Sequence, residues 1–159
     1  MPMYAVIGKL MKEGFTSSNV SNPTESELLR NLESYTQVYL FHSFEDAQKV
    51  SELFFRPHRP PKSSGRYGLI AKVAVEFSEI PTATQVDTAV VRNDLAAHWS
   101  SREFKEENTG VHCSCTIVSP NQIKSISEMF IPRAAKASNP NLQDINFREQ
   151  AASYQCSMM

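Results

Sequence analysis

The stretch that decides the fold is residues 35–77, which read YTQVYLFHSFEDAQKVSELFFRPHRPPKSSGRYGLIAKVAVEF. It begins with a short run of apolar residues, continues with apolar residues at helical spacing, and ends with apolar residues that alternate. It therefore predicts four consecutive elements: a strand over Thr36–His42, a helix over Phe44–Phe55, a basic proline-rich loop over Arg56–Arg66 and a long strand over Tyr67–Phe77.

The helix has a cap, a favourable first turn and a stop signal. Ser43 can cap its start, and Glu45 and Asp46 fall in the first turn, where the helix dipole favours negative charge. Pro57 cannot continue a helix. The helical spacing itself comes from Phe44, Ala47, Val50 and Phe54.

The long strand predicts a sheet with one dry face and one partly wet face. One side of the strand carries Tyr67, Leu69, Ala71, Val73, Val75 and Phe77. The other side is mixed and carries Gly68, Ile70, Lys72, Ala74 and Glu76. This alternation is typical of an antiparallel sheet whose second face is only partly covered.

Further elements are predicted on both sides of this stretch. Strands are expected at Met3–Leu10 and Val111–Val118. Thr24 and Glu27 have the spacing of a capping box, in which each side chain bonds the backbone N–H of the other, so a short helix should follow.

In two regions the sequence pattern does not decide between a helix and a strand. Residues 86–108 fit a helix or a strand followed by a short helix, and the spacing of Val91, Leu95 and Trp99 favours a helix over Thr88–Lys105. In residues 121–131 the apolar residues follow no decisive period, and they are Ile123, Ile126, Met129, Phe130 and Ile131.

The fold class that follows is α+β. We expect a single domain over residues 1–133, with a mostly antiparallel sheet of four or five strands packed by two or three helices. Residues 134–159 hold few large apolar side chains and many Ser, Asn, Gln and Ala residues, so a polar, poorly ordered tail is predicted there.

Composition narrows the classes of function. The chain has 159 residues, is 41% hydrophobic and 21% charged, and carries a formal net charge of −1, which argues against a nucleic-acid binder that works by bulk charge. Three cysteines are too few for a disulfide scaffold and fit a cytoplasmic location. No cleaved signal peptide is expected, and no run approaches the roughly 18 apolar residues of a membrane span.

The densest charge lies in the predicted loop, which we call the basic segment (Arg56–Arg66). Positions 56–72 contain five Lys or Arg residues and no Asp or Glu. Such a cluster predicts contact with an anionic ligand, either phosphate-bearing or an acidic protein surface, by Arg56, His58, Arg59, Lys62, Arg66 and Lys72. Alternatively, the cluster is a solvated connection, or its PxxP pattern is a ligand for a domain that binds polyproline II segments.

His42 and Ser43 are also candidate binding residues. They lie where a strand ends and a helix begins, and exposed backbone N–H groups at such a junction can hold an anion. The plain alternative is structural, because Ser43 already has a role as the helix cap.

The run His112-Cys113-Ser114-Cys115 raises a second class of function, a Cys–His thiol enzyme. Both cysteines fall on the apolar side of a predicted strand, where cysteine behaves as a small hydrophobe. A zinc site would need a second ligand pair, so no metal is expected, and no cofactor motif is present in the sequence.

Two resemblances complete the reading. The unit VYLFHSFEDA at positions 38–47, followed by the basic segment and the strand from Leu69 to Phe77, resembles small effector proteins that Legionella-type bacteria deliver through a type IV secretion system. That resemblance implies a location in a host cell and no particular activity. The strand–helix–strand spacing is also similar to ADP-ribosyltransferase-like domains, for which Glu128 is the candidate late glutamate.

Overall fold

The computed structural model describes residues 2–10, 22–54, 66–77, 82–96, 107–138 and 141–149. Within these ranges the chain forms the following elements, in order: β1 Met3–Leu10, α1 Glu25–Glu33, β2 Val38–Phe41, α2 Phe44–Glu52, β3 Arg66–Val75, β4 Thr84–Asp87, α3 Thr88–Ala96, β5 His112–Val118, a 3-10 turn Pro120–Gln122, β6 Ile123–Phe130, α4 Arg133–Ser138 and β7 Ile145–Asn146.

The seven strands in the described residues form one antiparallel sheet in the order β4-β5-β2-β1-β3-β6-β7. This confirms an α+β fold with an antiparallel sheet. The predicted count of four or five strands was too low, and so was that of two or three helices. The additional strands include β4 and β7, which have four and two residues, and alternation cannot be recognised over so few positions.

Helices cover both faces of the sheet. On one face, Ser51 of α2 packs against Gly68 of β3, and its hydroxyl donates to the Gly68 carbonyl at 2.5 Å. On the opposite face, Lys9 of β1 reaches Glu27 of α1, and the Glu25 carboxylate accepts a hydrogen bond from the Ile126 N–H at 2.9 Å. On the mixed face of β3, the residues beneath α2 are therefore buried, and Ala74 and Glu76 further along the strand are exposed to solvent. The alternation in the sequence predicted such a partly covered face.

Strand β2 lies in the centre of the fold, and all four of its residues are buried. It pairs with β5 over its whole length but with β1 at Tyr4 and Phe41. Beyond that pair the two strands diverge, and the Gly8 N–H donates to the Tyr35 hydroxyl at 3.3 Å. The side chain of Tyr35 therefore accepts a hydrogen bond from a backbone N–H of β1 at a position where β1 is not paired with β2.

Both predicted helix caps are present. Thr24 Oγ1 accepts from the Glu27 N–H and Ser43 Oγ accepts from the Asp46 N–H, each at 3.2 Å. The Glu27 carboxylate, predicted to reach back to Thr24, instead accepts from Lys9 Nζ at 3.2 Å. The α1 cap is thus one half of a capping box, and the other half is replaced by a contact to the sheet.

The two ambiguous regions have definite structures. Thr84–Asp87 is a strand and Thr88–Ala96 a short helix, so the strand-and-helix alternative was correct. Residues 97–105 of the preferred longer helix lie outside the described residues. Ile123–Phe130 is a strand whose pairing with β3 is interrupted twice by register shifts. Those irregularities explain why neither period was clear in the sequence.

The packed part of the chain extends past residue 133, where the tail was expected to begin. Arg133–Ser138 is a helix, and β7 pairs with β6. Leu142 and Phe147 are buried, and burying a side chain of either type stabilises a fold by roughly 1.5–3 kcal/mol. Because these two apolar residues are isolated in a polar stretch, they show no periodicity in the sequence, although both side chains pack into the core. Residues 139–140 and 150–159 lie outside the described part of the chain.

None of the helices in the described ranges has the length and apolar character that crossing a membrane requires.

Candidate functional site

The basic segment is joined to well-packed residues at both ends. Arg56, His58, Arg59 and Lys62 lie outside the described residues. The chain enters the segment after Phe54 and continues from it into Tyr67, and both aromatic side chains are buried. Arg66 is the first residue of β3, with its backbone opposite Leu10 of β1. The predicted binding residues of the basic segment thus follow and precede buried aromatic residues in the sequence.

A groove of about 220 Å³ runs along α2, between this helix and the strands β3 and β6. We call it the α2 groove. Its floor is apolar, and the rings of Phe44 and Phe130 meet edge to face with centroids 5.1 Å apart. Its walls and floor include Phe44, Gln48, Glu52, Ile70, Phe130 and Arg133.

The described residues that flank the basic segment lie beside the C-terminal end of α2. Ser51, which lines the groove, packs directly on Gly68, two residues after the segment ends. Phe54, the last described residue before the segment, also lies close to Gly68. The glycine is what lets helix and strand approach this closely, because a Cβ there would lie 2.8 Å from the Ser51 Cα.

The groove carries both signs of charge on its walls. Glu52 lies on the α2 side and Arg133 on the side of α4, and both residues are exposed. Nearby on the sheet, Lys72 Nζ lies 3.7 Å from Glu128 Oε1. Lys72, a predicted anion contact, is therefore already paired, and so is Glu128, the candidate late glutamate. A pair this exposed is worth little and can exchange partners.

His42 lies away from the groove, on the other face of the sheet. Its Nε2 is 2.7 Å from the Thr116 hydroxyl, and that hydroxyl donates to the Thr82 carbonyl at 3.2 Å. The Thr116 hydroxyl has a single proton, which it can give to the Thr82 carbonyl or to Nε2, so the direction of the contact with His42 depends on the histidine tautomer. Ser43 serves as the α2 cap. The structure does not bring these two predicted residues together with Lys72.

The two described cysteines have the character of core residues. Cys113 and Cys115 are buried, and Cys113 Sγ donates to the Val86 carbonyl at 3.4 Å. Burial raises the pKa of Cys113 to about 12, and it raises the pKa of Cys115 as well. A thiol is nucleophilic as the thiolate, so these shifts argue against the thiol-enzyme alternative.

We expect Cys113 and Cys115 to react slowly with iodoacetamide in the folded protein. Because both thiols are buried and their pKa values are raised, the thiolate fraction at neutral pH should be very small. Peptide mass spectrometry after timed labelling gives the rate for each cysteine, and the protein unfolded in guanidinium supplies the unhindered reference. Native labelling of Cys113 as fast as in the unfolded chain would revive the thiol enzyme.

Asp87 is the centre of a polar cluster that the sequence did not indicate. Its carboxylate accepts hydrogen bonds from the backbone N–H groups of Ala89, Thr109 and Gly110, at 2.9, 3.2 and 2.9 Å. The Thr109 hydroxyl also lies 3.2 Å from Asp87 Oδ1. These bonds, led by that from Ala89, hold the pKa of Asp87 below its ordinary 3.8. Asp87 therefore fixes residues 109–110 against the start of α3.

We expect replacement of Asp87 by asparagine to lower the melting temperature near neutral pH and to change it little in acid. The folded-state pKa lies below 3.8, so ionised Asp87 stabilises the fold above that value, and this contribution disappears as the pH falls through the folded pKa. Thermal unfolding of both proteins across the acid range measures the difference. Glu107→Gln, at an exposed carboxylate nearby, is the control and should leave the pH dependence unchanged.

Comparisons with protein-family models, with curated proteins and with solved structures find no match to this chain. The resemblances to secreted effectors and to ADP-ribosyltransferase-like domains therefore stay predictions. Among the described residues, no group of three or more His, Cys, Asp or Glu side chains is placed to hold a metal ion.

Sequence reasoning located the basic segment but not the α2 groove. The groove joins one side of α2 to Ile70 and to residues 130–134, which are distant in sequence. The available signal was a set of large apolar residues beyond the predicted core, Phe130 and Ile131 among them. Only the pairing of β6 with β3 places them beside the helix.

Proposed function

We propose that this protein is a non-catalytic binding module that presents the basic segment (Arg56–Arg66) to an acidic surface of a protein partner. The observation that carries the proposal is the charge pattern, with five Lys or Arg residues and no Asp or Glu over positions 56–72 in a chain whose net charge is −1. The buried anchors Phe54 and Tyr67 support it, because they tie the charged stretch to the core.

We favour a protein partner over a small phosphate-bearing ligand because side chains of the protein already bind backbone N–H groups at the N-termini of α2 and α3. Backbone N–H groups at helix N-termini are the usual cradle for phosphate. Here Ser43 binds the Asp46 N–H of α2, while Asp87 binds the Ala89 N–H of α3 and two further N–H groups. These donors are occupied by the protein's own side chains. Several basic side chains spread over a segment can pair with several carboxylates of an acidic surface at once.

The expected complex is weak to moderate and sensitive to salt. Each exposed ion pair contributes about 0.2–1 kcal/mol, so four or five pairs give a modest affinity. Clustered charge of one sign also speeds encounter with an oppositely charged partner, and this effect is screened by salt. Binding should therefore weaken steadily as sodium chloride is added.

We expect a fluorescein-labelled oligoglutamate peptide to bind the protein at low salt and to lose this binding when Arg59, Lys62 and Arg66 are all changed to glutamate. The reversal replaces attraction by repulsion at the proposed contact. Fluorescence anisotropy measures the affinity. The matched control exchanges Lys and Arg at the same positions (Arg59→Lys, Lys62→Arg, Arg66→Lys), keeps the charge, and should retain most of the binding.

Thermal unfolding should first show that both variants are folded. Equal affinity of the reversed variant and the wild type for oligoglutamate would refute the proposal. Inorganic phosphate is added as a competitor against sodium chloride of equal ionic strength. If phosphate displaces the peptide far better than chloride does, the site binds phosphate groups and the protein-partner proposal is wrong.

A further inference from the structure

We propose that the edge strand β4 pairs antiparallel with β4 of a second copy of this chain, so that two seven-stranded sheets join into one. The protein is then a homodimer with a two-fold axis through the contact. The contact involves no residue of the basic segment, and it is independent of the proposed function. The backbone of β4, its sequence and the apolar side chains beside it support this pairing.

The backbone of Gln85 in β4 is directed away from its own sheet. Gln85 stands opposite Ser114 of β5. The Ser114 carbonyl accepts from the His42 N–H at 3.4 Å, and the Ser114 N–H donates to the Asp46 carboxylate at 3.0 Å, so neither group bonds Gln85. Because bonded and non-bonded pairs alternate along an antiparallel ladder, the N–H and C=O of Gln85 point outward. Among the described strands, none lies on that side of β4.

This edge lacks the features that usually prevent pairing with another chain. Native edge strands are commonly protected by Lys, Pro, inward-pointing charges or a covering element. Residues 84–86 read Thr-Gln-Val, without charge or proline, and residues 82–85 are exposed. The opposite edge of the sheet is β7, which has two residues and offers little backbone for pairing. Strand addition is therefore favoured at β4.

The sequence of β4 complements itself about a two-fold axis at Gln85. Gln85 then faces Gln85 of the second copy in a hydrogen-bonded pair, and Thr84 faces Val86 in a pair without hydrogen bonds, where side chains lie closest. Pairs of β-branched side chains stabilise a sheet, whereas like charges opposite each other destabilise it. Asp87, the charged residue of the strand, faces Ala83 and not a second carboxylate. A second copy therefore fits this edge without an unfavourable pair.

Exposed apolar side chains are grouped beside β4. Among the described residues, the large apolar side chains with the greatest exposure are Val90, Val111 and Ile117, at 41%, 44% and 46%. Val90 belongs to α3, which begins directly after β4. Ile117 lies on β5, the neighbour of β4, and Val111 directly precedes that strand. Grouped exposed apolar residues mark interaction surfaces, so their position favours a protein contact at this end of the sheet.

Sedimentation velocity of the full chain across the micromolar range tests the contact, and we expect a monomer–dimer equilibrium. Gln85→Pro removes an N–H that the chain's own sheet does not use, and its ring obstructs the incoming strand. It should therefore raise the dimer Kd roughly tenfold or more. The matched control Gln85→Thr keeps the N–H and suits a strand, so its Kd should stay close to that of the wild type.

The register is tested by cross-linking. Gln85→Cys should form a disulfide between two copies on mild oxidation, because residues opposed in a hydrogen-bonded pair have Cα atoms about 5.5 Å apart, within the range that a disulfide spans. Thr84→Cys faces Val86 of the second copy instead and should cross-link far more slowly. Peptide mass spectrometry distinguishes the 85–85 disulfide from any formed by the native cysteines.

A monomer at every concentration would overturn the inference, and so would a dimer that a folded Gln85→Pro variant leaves intact. If thermal unfolding shows that Gln85→Pro is not folded, the disulfides decide, and equal cross-linking from positions 84 and 85 would contradict the pairing. Binding of oligoglutamate tests the proposed function separately, so failure of the dimer leaves that proposal standing.

Discussion

Replacing Phe41 with alanine is expected to lower the free energy of unfolding by about 3–5 kcal/mol. The side chain is 0% exposed and lies on β2, at the junction of three strands. It stands opposite Tyr4 of β1 on one side and opposite Cys115 of β5 on the other. The pair of Tyr4 and Phe41 joins β1 to β2, and so joins β4, β5 and β2 to the other four strands of the sheet. A cavity at this position should therefore weaken the connection between these two sets of strands.

Chemical denaturation in urea measures the loss. The control is Ile117→Ala on the neighbouring strand β5, where the side chain is 46% exposed and less than about 1 kcal/mol is expected. A loss at Phe41 no larger than the loss at Ile117 would show that β2 does not join the two halves of the sheet as described.

Replacing Gly68 with alanine is expected to cost about 1–3 kcal/mol. A Cβ at this position would lie 2.8 Å from the Ser51 Cα and 3.1 Å from Phe54 Cδ2. The first of these contacts is to backbone, which a side-chain rotation cannot relieve, so α2 must move away from β3. The substitution should therefore reduce stability and disturb the end of the α2 groove at the same time.

Gly110→Ala provides a useful contrast, again by urea denaturation. Gly110 has a positive φ of 76° and nothing within 4 Å of an added Cβ, so its cost of roughly 1 kcal/mol comes from the backbone alone. Wild-type stability in Gly68→Ala would contradict the close packing of α2 on β3.

Local signals predicted the elements whose causes are local. The Thr24 and Ser43 caps and the alternation along β3 depend on neighbours in sequence, and the structure confirms them. The predicted end of the α2 helix at Phe55 was wrong, because α2 ends at Glu52. Strand β4 could not be recognised in this way. Its four residues owe their conformation to pairing with β5, a partner more than 20 residues away in sequence at every pair.

The end of the chain shows the same limit. Leu142 and Phe147 stand in a polar stretch, so composition predicted a poorly ordered tail from residue 134. Both side chains belong to the buried core, and the strand β7 between them pairs with β6. An isolated apolar residue shows no periodicity in the sequence. Only the tertiary structure shows whether its side chain is buried against the core.

One part of the candidate site could also be predicted from the sequence, and another part could not. The basic segment is visible in the sequence because its charges are close together along the chain and no Asp or Glu lies between them. The α2 groove is not visible, because Phe44, Ile70 and Phe130 come together only through strand pairing. The engagement of His42 with Thr116 was equally hidden, since the two residues are 74 positions apart.

The most direct test of the account is a charge swap measured by fluorescence anisotropy with two probes, oligoglutamate and oligolysine. Wild-type protein should bind oligoglutamate and ignore oligolysine. The variant with Arg59, Lys62 and Arg66 changed to glutamate should show the opposite preference, and both complexes should weaken as sodium chloride is added. If the variant, folded by thermal unfolding, still prefers oligoglutamate, the basic segment is not the binding element and the central claim is wrong.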